Sequence, residues 1–316
     1  MKNRSAILAL VTAGSLWGVT VALSKLSLRW LDPSWLTTMR FLVAAPILAI
    51  IGRHGLRQAF TPRILATGAV GYGAVVLLQN VGIDHTSVSH GAIIVGALPV
   101  VVALVAAGLG KGNARPLVWL GYAVALIGVV LVAKGGGGGA TDSGDMLVFA
   151  SVVLSGAFIA IQPSMLKGRD AAAVTAAQFL AAELVALPVA LLGSPLPHAP
   201  GAAGSVVAFV TLALVGTILP FWLFAYGQAR VAPEVAGAFV NLEPLVGAVV
   251  GWVAFANPVG VWQILGALVV IVGILISLAP PDLELGPPRR QRAIEAALEG
   301  GRRHSRRRRA ALAARW

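Results

Sequence analysis

The chain consists of long apolar segments separated by short polar breaks. Most are close to the 20 or so residues that cross a bilayer as an α-helix, and none alternates apolar and polar residues as a membrane β-strand does. The pattern therefore predicts an all-α membrane protein with ten transmembrane helices. They are placed at about 6–28, 34–51, 64–82, 88–109, 116–133, 146–166, 173–192, 204–226, 234–255 and 258–279.

The second half of this pattern repeats the first. A single offset of 145 positions pairs glycines and prolines: Gly71 with Gly216, Gly82 with Gly227, Pro99 with Pro244, Gly121 with Gly266 and Gly128 with Gly273. Upstream, an offset of 138 pairs Gly18 with Gly156, Thr37 with Thr175 and Phe41 with Phe179. A copied unit with an odd number of spans must lie upside down relative to the original. The predicted fold is two inverted five-helix repeats, with the substrate site at their seam.

The repeats define the predicted domains. The first five-helix repeat covers residues 1–139, the second covers 140–280, and a basic tail covers 281–316. A glycine-rich stretch at 134–145 is predicted to be a flexible linker outside the membrane. The fifth and tenth helices have almost no polar atoms, so we expect them at the periphery, with the other eight around a central cavity.

Charge predicts the orientation. Charged residues are only 11% of the chain, against about 25% in soluble domains. The net charge is +12, but most cations fall in segments that ten spans place inside, including ten arginines after residue 288. Outer loops hold only Arg29 and Lys134. This bias predicts a multi-pass inner-membrane protein with both termini in the cytoplasm and with its first helix retained. The basic tail is expected to attract anionic lipids, and no nucleic-acid partner is expected.

The residues give no indication of an enzyme. The chain has no cysteine, its five histidines are scattered, and it lacks hydrolase, metalloprotease and phosphate-loop motifs. We therefore expect no catalytic residues, no metal and no cofactor. The tail is too short for a nucleotide-binding domain, so secondary or facilitated transport is expected, by a monomer or homodimer.

Two short strings carry a family resemblance. Asn241-Leu242-Glu243-Pro244 and, one helix later, Gln263-Ile264-Leu265-Gly266 resemble the EamA-type ten-helix exporters of the drug/metabolite transporter superfamily. The resemblance covers residues 1–280. It implies export of small metabolites, often amino acids, by alternating access that an ion gradient commonly drives. The acidic residue that usually closes the penultimate helix is Asn257 here, and Gly112 stands at the equivalent place in the first half. The resemblance therefore gives no role to that acid.

Four ionisable residues fall within predicted spans: Lys25, Arg40, Glu183 and Glu243. Each is costly in lipid, so it should face protein or water. Lys25 can reach the outer interface, whereas Arg40 could bind a substrate carboxylate or pair with an acidic neighbour. Apolar surroundings disfavour a charged carboxylate, so Glu243 and Glu183 are candidate proton carriers, or else permanently protonated carboxyls. For Glu243 we favour the proton carrier, and for Glu183 the protonated structural carboxyl.

Pro99 and its duplicate Pro244 are predicted hinges. Each removes a backbone donor near the middle of its span and frees the carbonyl of Val95 or Val240. A water-lined cavity is one of the few environments that can satisfy such a carbonyl, although a kink made only for packing is the alternative. The polar residues beside Pro244, which are Asn241 and Glu243, have apolar counterparts in the first half.

These considerations give one predicted site and three functional hypotheses. The candidate substrate-binding residues are Trp17, Arg40, Tyr72, Gln79, His90, Gln162, Trp222, Tyr226, Asn241 and Glu243. Aromatic walls with one cation and one acid suit a small zwitterion such as an amino acid. The alternatives are a broad exporter of hydrophobic cations and, in another class, a membrane-embedded enzyme or signalling subunit.

Overall fold

The computed structural model describes residues 2–85, 94–110, 115–133, 142–255 and 260–277, and every regular element in these ranges is helical. His90, Gly112, Asn257, most of the linker and the basic tail lie outside them. The helices are α1 (Lys2–Ser27), α2 (Pro33–Ile51), α3 (Leu56–Ala59), α4 (Pro62–Gly68), α5 (Val75–His85), α6 (Leu98–Gly108), α7 (Pro116–Ala133), α8 (Asp142–Leu166), α9 (Ala171–Gly193), α10 (Ala203–Ala213), α11 (Leu219–Gln228), α12 (Pro233–Ala238), α13 (Leu242–Phe255) and α14 (Val261–Ser277).

Six described helical stretches are long and apolar enough to cross a membrane: Arg4–Ser24, Pro33–Ile51, Pro62–Gly82, Ser143–Leu166, Ala171–Gly193 and Ala203–Gln228. Four shorter apolar helices, Ile94–Gly108, Pro116–Gly128, Val235–Gly247 and Ile264–Ser277, occupy the remaining predicted spans. The expectation of an all-helical, multi-pass membrane protein is confirmed. The count of ten spans and their inverted arrangement stay predictions.

Local sequence signals explain where the long helices begin. Asp32 accepts a hydrogen bond from the backbone N–H of Ser34 at 3.0 Å, and Pro33 occupies the first turn of α2. Asp170 caps α9 in the same way through Ala173, at 2.8 Å. Such caps satisfy amides that have no partner within the helix. They fix the ends of the two helices that form the centre of the molecule.

Two helices are interrupted by a π-helical turn that the apolar pattern did not predict. Residues Ala69–Ala74 join α4 to α5, and residues Leu214–Ile218 join α10 to α11. The two turns begin 145 positions apart, which is the repeat offset. A π-helical turn inserts a residue into the helix and is frequent at functional sites. The first turn contributes Gly71 and Tyr72 to the cavity described below.

Close helix packing depends on the duplicated glycines. A Cβ on Gly121 of α7 would collide with the backbone of Gly273 and Ser277 in α14, and a Cβ on Gly128 would collide with Gly266 and Val270. Small residues allow such approach in membranes. The repeat offset relates Gly121 to Gly266 and Gly128 to Gly273. Exchanging the two halves therefore converts the contact of Gly121 with Gly273 into the contact of Gly128 with Gly266.

Exchanging the two halves of the chain also relates other glycine contacts to one another. Gly18 packs against Val246, and its counterpart Gly156 packs against Val101, the counterpart of Val246. Gly227 against Leu10 and Gly82 against Val148 form a second exchanged set.

The long helices α2 and α9 pack against each other in the interior. The rings of Phe41 and Phe179 meet there at 4.9 Å, and both side chains are buried. The helices α7 and α14 pair at the periphery and expose many apolar side chains, as a lipid-facing position requires. The remaining long helices surround α2 and α9 and leave a cavity between the two halves.

Candidate functional site

A cavity of about 160 Å³ lies between helices of the first half and helices of the second. Its walls combine apolar side chains with a small set of polar ones: Thr20, Ser24, Arg40, Tyr72, Gln79, Asn80, Ser151, Ser155 and Glu243. On α1, α2, α5 and α8, these residues lie in the middle of the helix or toward the helix end that is predicted to be on the outer side of the membrane. A mostly apolar pocket with a few polar groups is the usual form of a small-molecule site.

Arg40 is held by a residue that the sequence did not indicate. Its Nε donates to the hydroxyl of Thr217 at 3.0 Å, and the same hydroxyl donates to the carbonyl of Leu212 at 2.9 Å. Thr217 is fully buried in the π-helical turn before α11. Arg40 is also buried, and its two terminal nitrogens make no hydrogen bond to any described residue. The anchored guanidinium therefore presents an unused pair of donors at the cavity wall.

Glu243 lines the same cavity from the second half of the chain. It stands in the first turn of α13, directly after the 3₁₀ turn Phe239–Asn241, and is partly buried. Arg40 and Glu243 line the same cavity, yet no ion pair is formed between these two described side chains. The cavity thus contains a cation and an acid, neither of which neutralises the other by direct contact.

An aromatic cluster, here called the aromatic floor, contributes all of its rings except that of Phe179 to the lining of the cavity. Its members are Trp17, Tyr72, Phe158, Phe179, Phe221 and Phe224. The Tyr72 ring lies 4.7 Å from Phe158 and 5.0 Å from Phe221, and the Trp17 ring lies 5.1 Å from Phe221. The indole N–H of Trp17 is buried without a partner among the described residues. It is a further free donor beside the cavity.

The predicted hinges lie next to this cavity. Pro99 is in the first turn of α6, after the helix breaks at Ala97. Pro244 follows the 3₁₀ turn at the start of α13. Val95 and Val240, whose carbonyls the prolines were predicted to free, both line the cavity. The role of the two prolines as hinges stays a prediction.

Five of the ten predicted substrate-binding residues come together at the cavity: Trp17, Arg40, Tyr72, Gln79 and Glu243. Four others do not line it. Gln162 is buried in a hydrogen-bonded pair with Gln178, Asn241 is buried, and Trp222 is partly buried. Tyr226 stacks under the guanidinium of Arg230 at 3.6 Å. The tenth, His90, lies outside the described residues.

Glu183 also lies away from the cavity. It is buried on α9, and neither carboxyl oxygen has a hydrogen-bond partner among the described residues. An unpaired charge there would carry a large desolvation cost. The choice between a proton carrier and a protonated structural carboxyl at Glu183 stays a prediction.

A mostly apolar cavity with a few polar residues, enclosed by apolar helices of two similar halves, is an arrangement found in membrane transporters. The chain matches the EamA-like transporter family over residues 4–134 and again over residues 142–279. It belongs to that family, and the resemblance to the drug/metabolite transporter superfamily is confirmed.

The relatives share most of their length with this chain. An uncharacterized transporter of Archaeoglobus fulgidus is 25% identical over 289 residues, which are 88% of this chain and 98% of the relative. A probable terminal-alkyne amino-acid exporter of Streptantibioticus cattleyicolor is 25% identical, over 87% of this chain and 94% of its own. A crystal structure with 18% identity has a TM-score of 0.77, over 87% of this chain and 96% of that chain. The last similarity shows the fold alone.

Proposed function

We propose that the protein is a secondary transporter that exports small zwitterionic metabolites, amino acids in the first place, across the inner membrane. The observation that carries this proposal is that Arg40 and Glu243 both line one cavity without forming an ion pair with each other. An amino acid has a carboxylate and an ammonium group at fixed separation. It could bridge the two side chains, and each of its charges would gain a partner of opposite sign.

The anchoring of Arg40 supports a carboxylate ligand. A guanidinium binds a carboxylate best through two parallel N–H donors. Thr217 holds Nε and leaves the two terminal nitrogens unused. The Streptantibioticus cattleyicolor relative, a probable terminal-alkyne amino-acid exporter, suggests the same substrate class, and the direction of transport is proposed from the family.

Alternating access between inverted five-helix repeats is the mechanism we propose. It is supported by the fixed offsets in the sequence, the two π-helical turns at equivalent positions and the glycine contacts that exchange with one another. The two family matches, one in each half of the chain, agree with a duplicated unit. Two inverted units can exchange conformations, which opens the cavity to one side of the membrane and then to the other.

The proposal is tested by transport into liposomes that contain the purified protein, with a panel of labelled amino acids. Arg40→Gln should reduce uptake at least about tenfold, because a carboxylate left unpaired in a buried site costs more than 1.4 kcal/mol. Arg57→Gln removes an equal charge from an exposed position away from the cavity and should transport normally. Thr217→Val, which keeps the charge but removes its anchor, should raise KM, and Thr217→Ser should restore it.

A transporter of hydrophobic cations is the second candidate, because the aromatic floor and Glu243 could bind a planar cation. In that case Arg40→Gln would leave the uptake of a labelled lipophilic cation intact or improve it. Failure of the unaltered protein to transport any amino acid in the panel, together with uptake of such a cation, would favour this candidate.

A further inference from the structure

Two buried glutamines that do not line the cavity form a closed hydrogen-bonded pair. The side-chain nitrogen of each donates to the side-chain oxygen of the other, at 2.8 Å in both directions, between α8 and α9. The Gln178 nitrogen also donates to the hydroxyl of Thr67 on α4, at 3.1 Å. Gln162 and Gln178 are both completely buried. Three helices are thus joined at one point by hydrogen bonds that exist only while the helices stay together.

The repeat counterparts of these glutamines line the cavity and are not hydrogen-bonded to each other. The offset of 138 relates Gln162 to Ser24 and Gln178 to Arg40. Ser24 and Arg40 both line the cavity, and no hydrogen bond joins these two described side chains. One half therefore has the pair closed and buried, and the other half has the equivalent pair open to the cavity.

Asn80 and its repeat counterpart Ala225 show the same contrast between a position that lines the cavity and one that is buried. Asn80 of α5 lines the cavity, whereas its counterpart at the offset of 145, Ala225 of α11, is completely buried. Ala225 packs in an apolar cluster with Ile64, Val174 and Ala177. The region around the glutamine pair is thus packed, whereas the counterpart positions Ser24, Arg40 and Asn80 line the cavity.

We propose that the Gln162–Gln178 pair is the latch that holds the cytoplasmic side of the transporter shut. When the repeats exchange conformations, this pair separates, Ser24 and Arg40 close over the outer side of the cavity, and Ala225 lines an inner vestibule. The proposal rests on the proposed function for its direction in the membrane. It also gives Gln162 a different role from that of a substrate ligand: its amide donates to and accepts from Gln178 while the cavity faces outward.

Labelling of single cysteines tests the latch, because the chain has no cysteine of its own. Asn80→Cys and Ala225→Cys are prepared separately, with the protein in nanodiscs so that a membrane-impermeant maleimide reaches both faces. With the latch intact, we expect Asn80→Cys to react and Ala225→Cys to be protected. Gln162→Met together with Gln178→Met should make Ala225→Cys react about fivefold faster or more, and Asn80→Cys correspondingly slower. Removing hydrogen bonds that stabilise only one of two states shifts the population in this way.

Two further variants complete the test. Thr67→Val removes one hydrogen bond and keeps the amide pair, so it should shift both rates in the same directions by a smaller factor. Ser164→Ala is the control, because the hydroxyl of Ser164 donates within its own helix, to Ile161, and should leave both rates unchanged. If Ala225→Cys stays protected in the glutamine and Thr67 variants, or if both cysteines become more reactive together, the latch proposal is wrong. No substrate is added, so a failure to transport amino acids would count against the proposed function alone.

Discussion

Arg40 and Glu243 are the two residues whose neighbourhood decides what the cavity can bind. Each stands in an otherwise apolar helix, and the cost of an ionisable group in lipid indicated from the sequence that both should face protein or water. Both do line the cavity. The sequence could not indicate Thr217, because a threonine within an apolar helix has no pattern that distinguishes it from a packing residue.

Glu243 is the residue that we predict to couple transport to a proton gradient. We expect Glu243→Gln to lose uptake driven by a pH gradient while it keeps exchange of labelled for unlabelled substrate, since exchange needs no net proton movement. Both activities are measured in the same liposomes.

Glu183→Gln is the companion variant, because its unpaired carboxyl lies outside the cavity. Coupling retained in Glu183→Gln would assign the proton to Glu243, and coupling lost in both variants would indicate two carriers. Gradient-driven uptake that survives in Glu243→Gln would remove Glu243 from the coupling mechanism.

At the scale of elements, the apolar pattern predicted where helices lie better than it predicted their internal form. Hydrophobic length fixes a membrane helix because an unsatisfied backbone is excluded from lipid. The π-helical turns at 69–74 and 214–218 and the break at Ala97 depend on local contacts that hydrophobicity does not contain. The first turn lines the cavity, the second holds Arg40 through Thr217, and Val95 and Leu98 on either side of the break line the cavity.

The close packing of α7 and α14 gives a prediction about stability. Gly121→Ala places a Cβ against the backbone of α14 and should destabilise the protein by about 1–3 kcal/mol, the usual cost of overpacking. Thermal unfolding of the purified protein should show a lower Tm.

Gly108→Ala is the matched control, because a Cβ on Gly108 would meet no atom within 4 Å. It should leave Tm unchanged or raise it slightly, since alanine favours a helix more than glycine does. An unchanged Tm in Gly121→Ala would mean that the two helices can separate without cost.

At the scale of the whole molecule, the distribution of lysine and arginine predicts that both termini are cytoplasmic. Single cysteines in place of Asn3 and Ser305 should react with an impermeant maleimide only when the cytoplasmic face is accessible. His198→Cys, on a segment predicted to lie outside, should react only from the opposite face. Labelling of Asn3→Cys and Ser305→Cys from opposite faces would exclude an even number of spans and with it the inverted pair.

The sequence by itself determined that this is a helical membrane protein of duplicated halves, because hydrophobic length and fixed-offset glycines are properties of the chain alone. It also singled out Arg40 and Glu243, since charge in lipid is costly wherever it stands. Only the tertiary structure decided that Gln79 faces the cavity while Gln162 closes against Gln178. Which face of an apolar helix meets a neighbour depends on helix rotation and crossing, and an almost uniformly apolar surface leaves both undetermined.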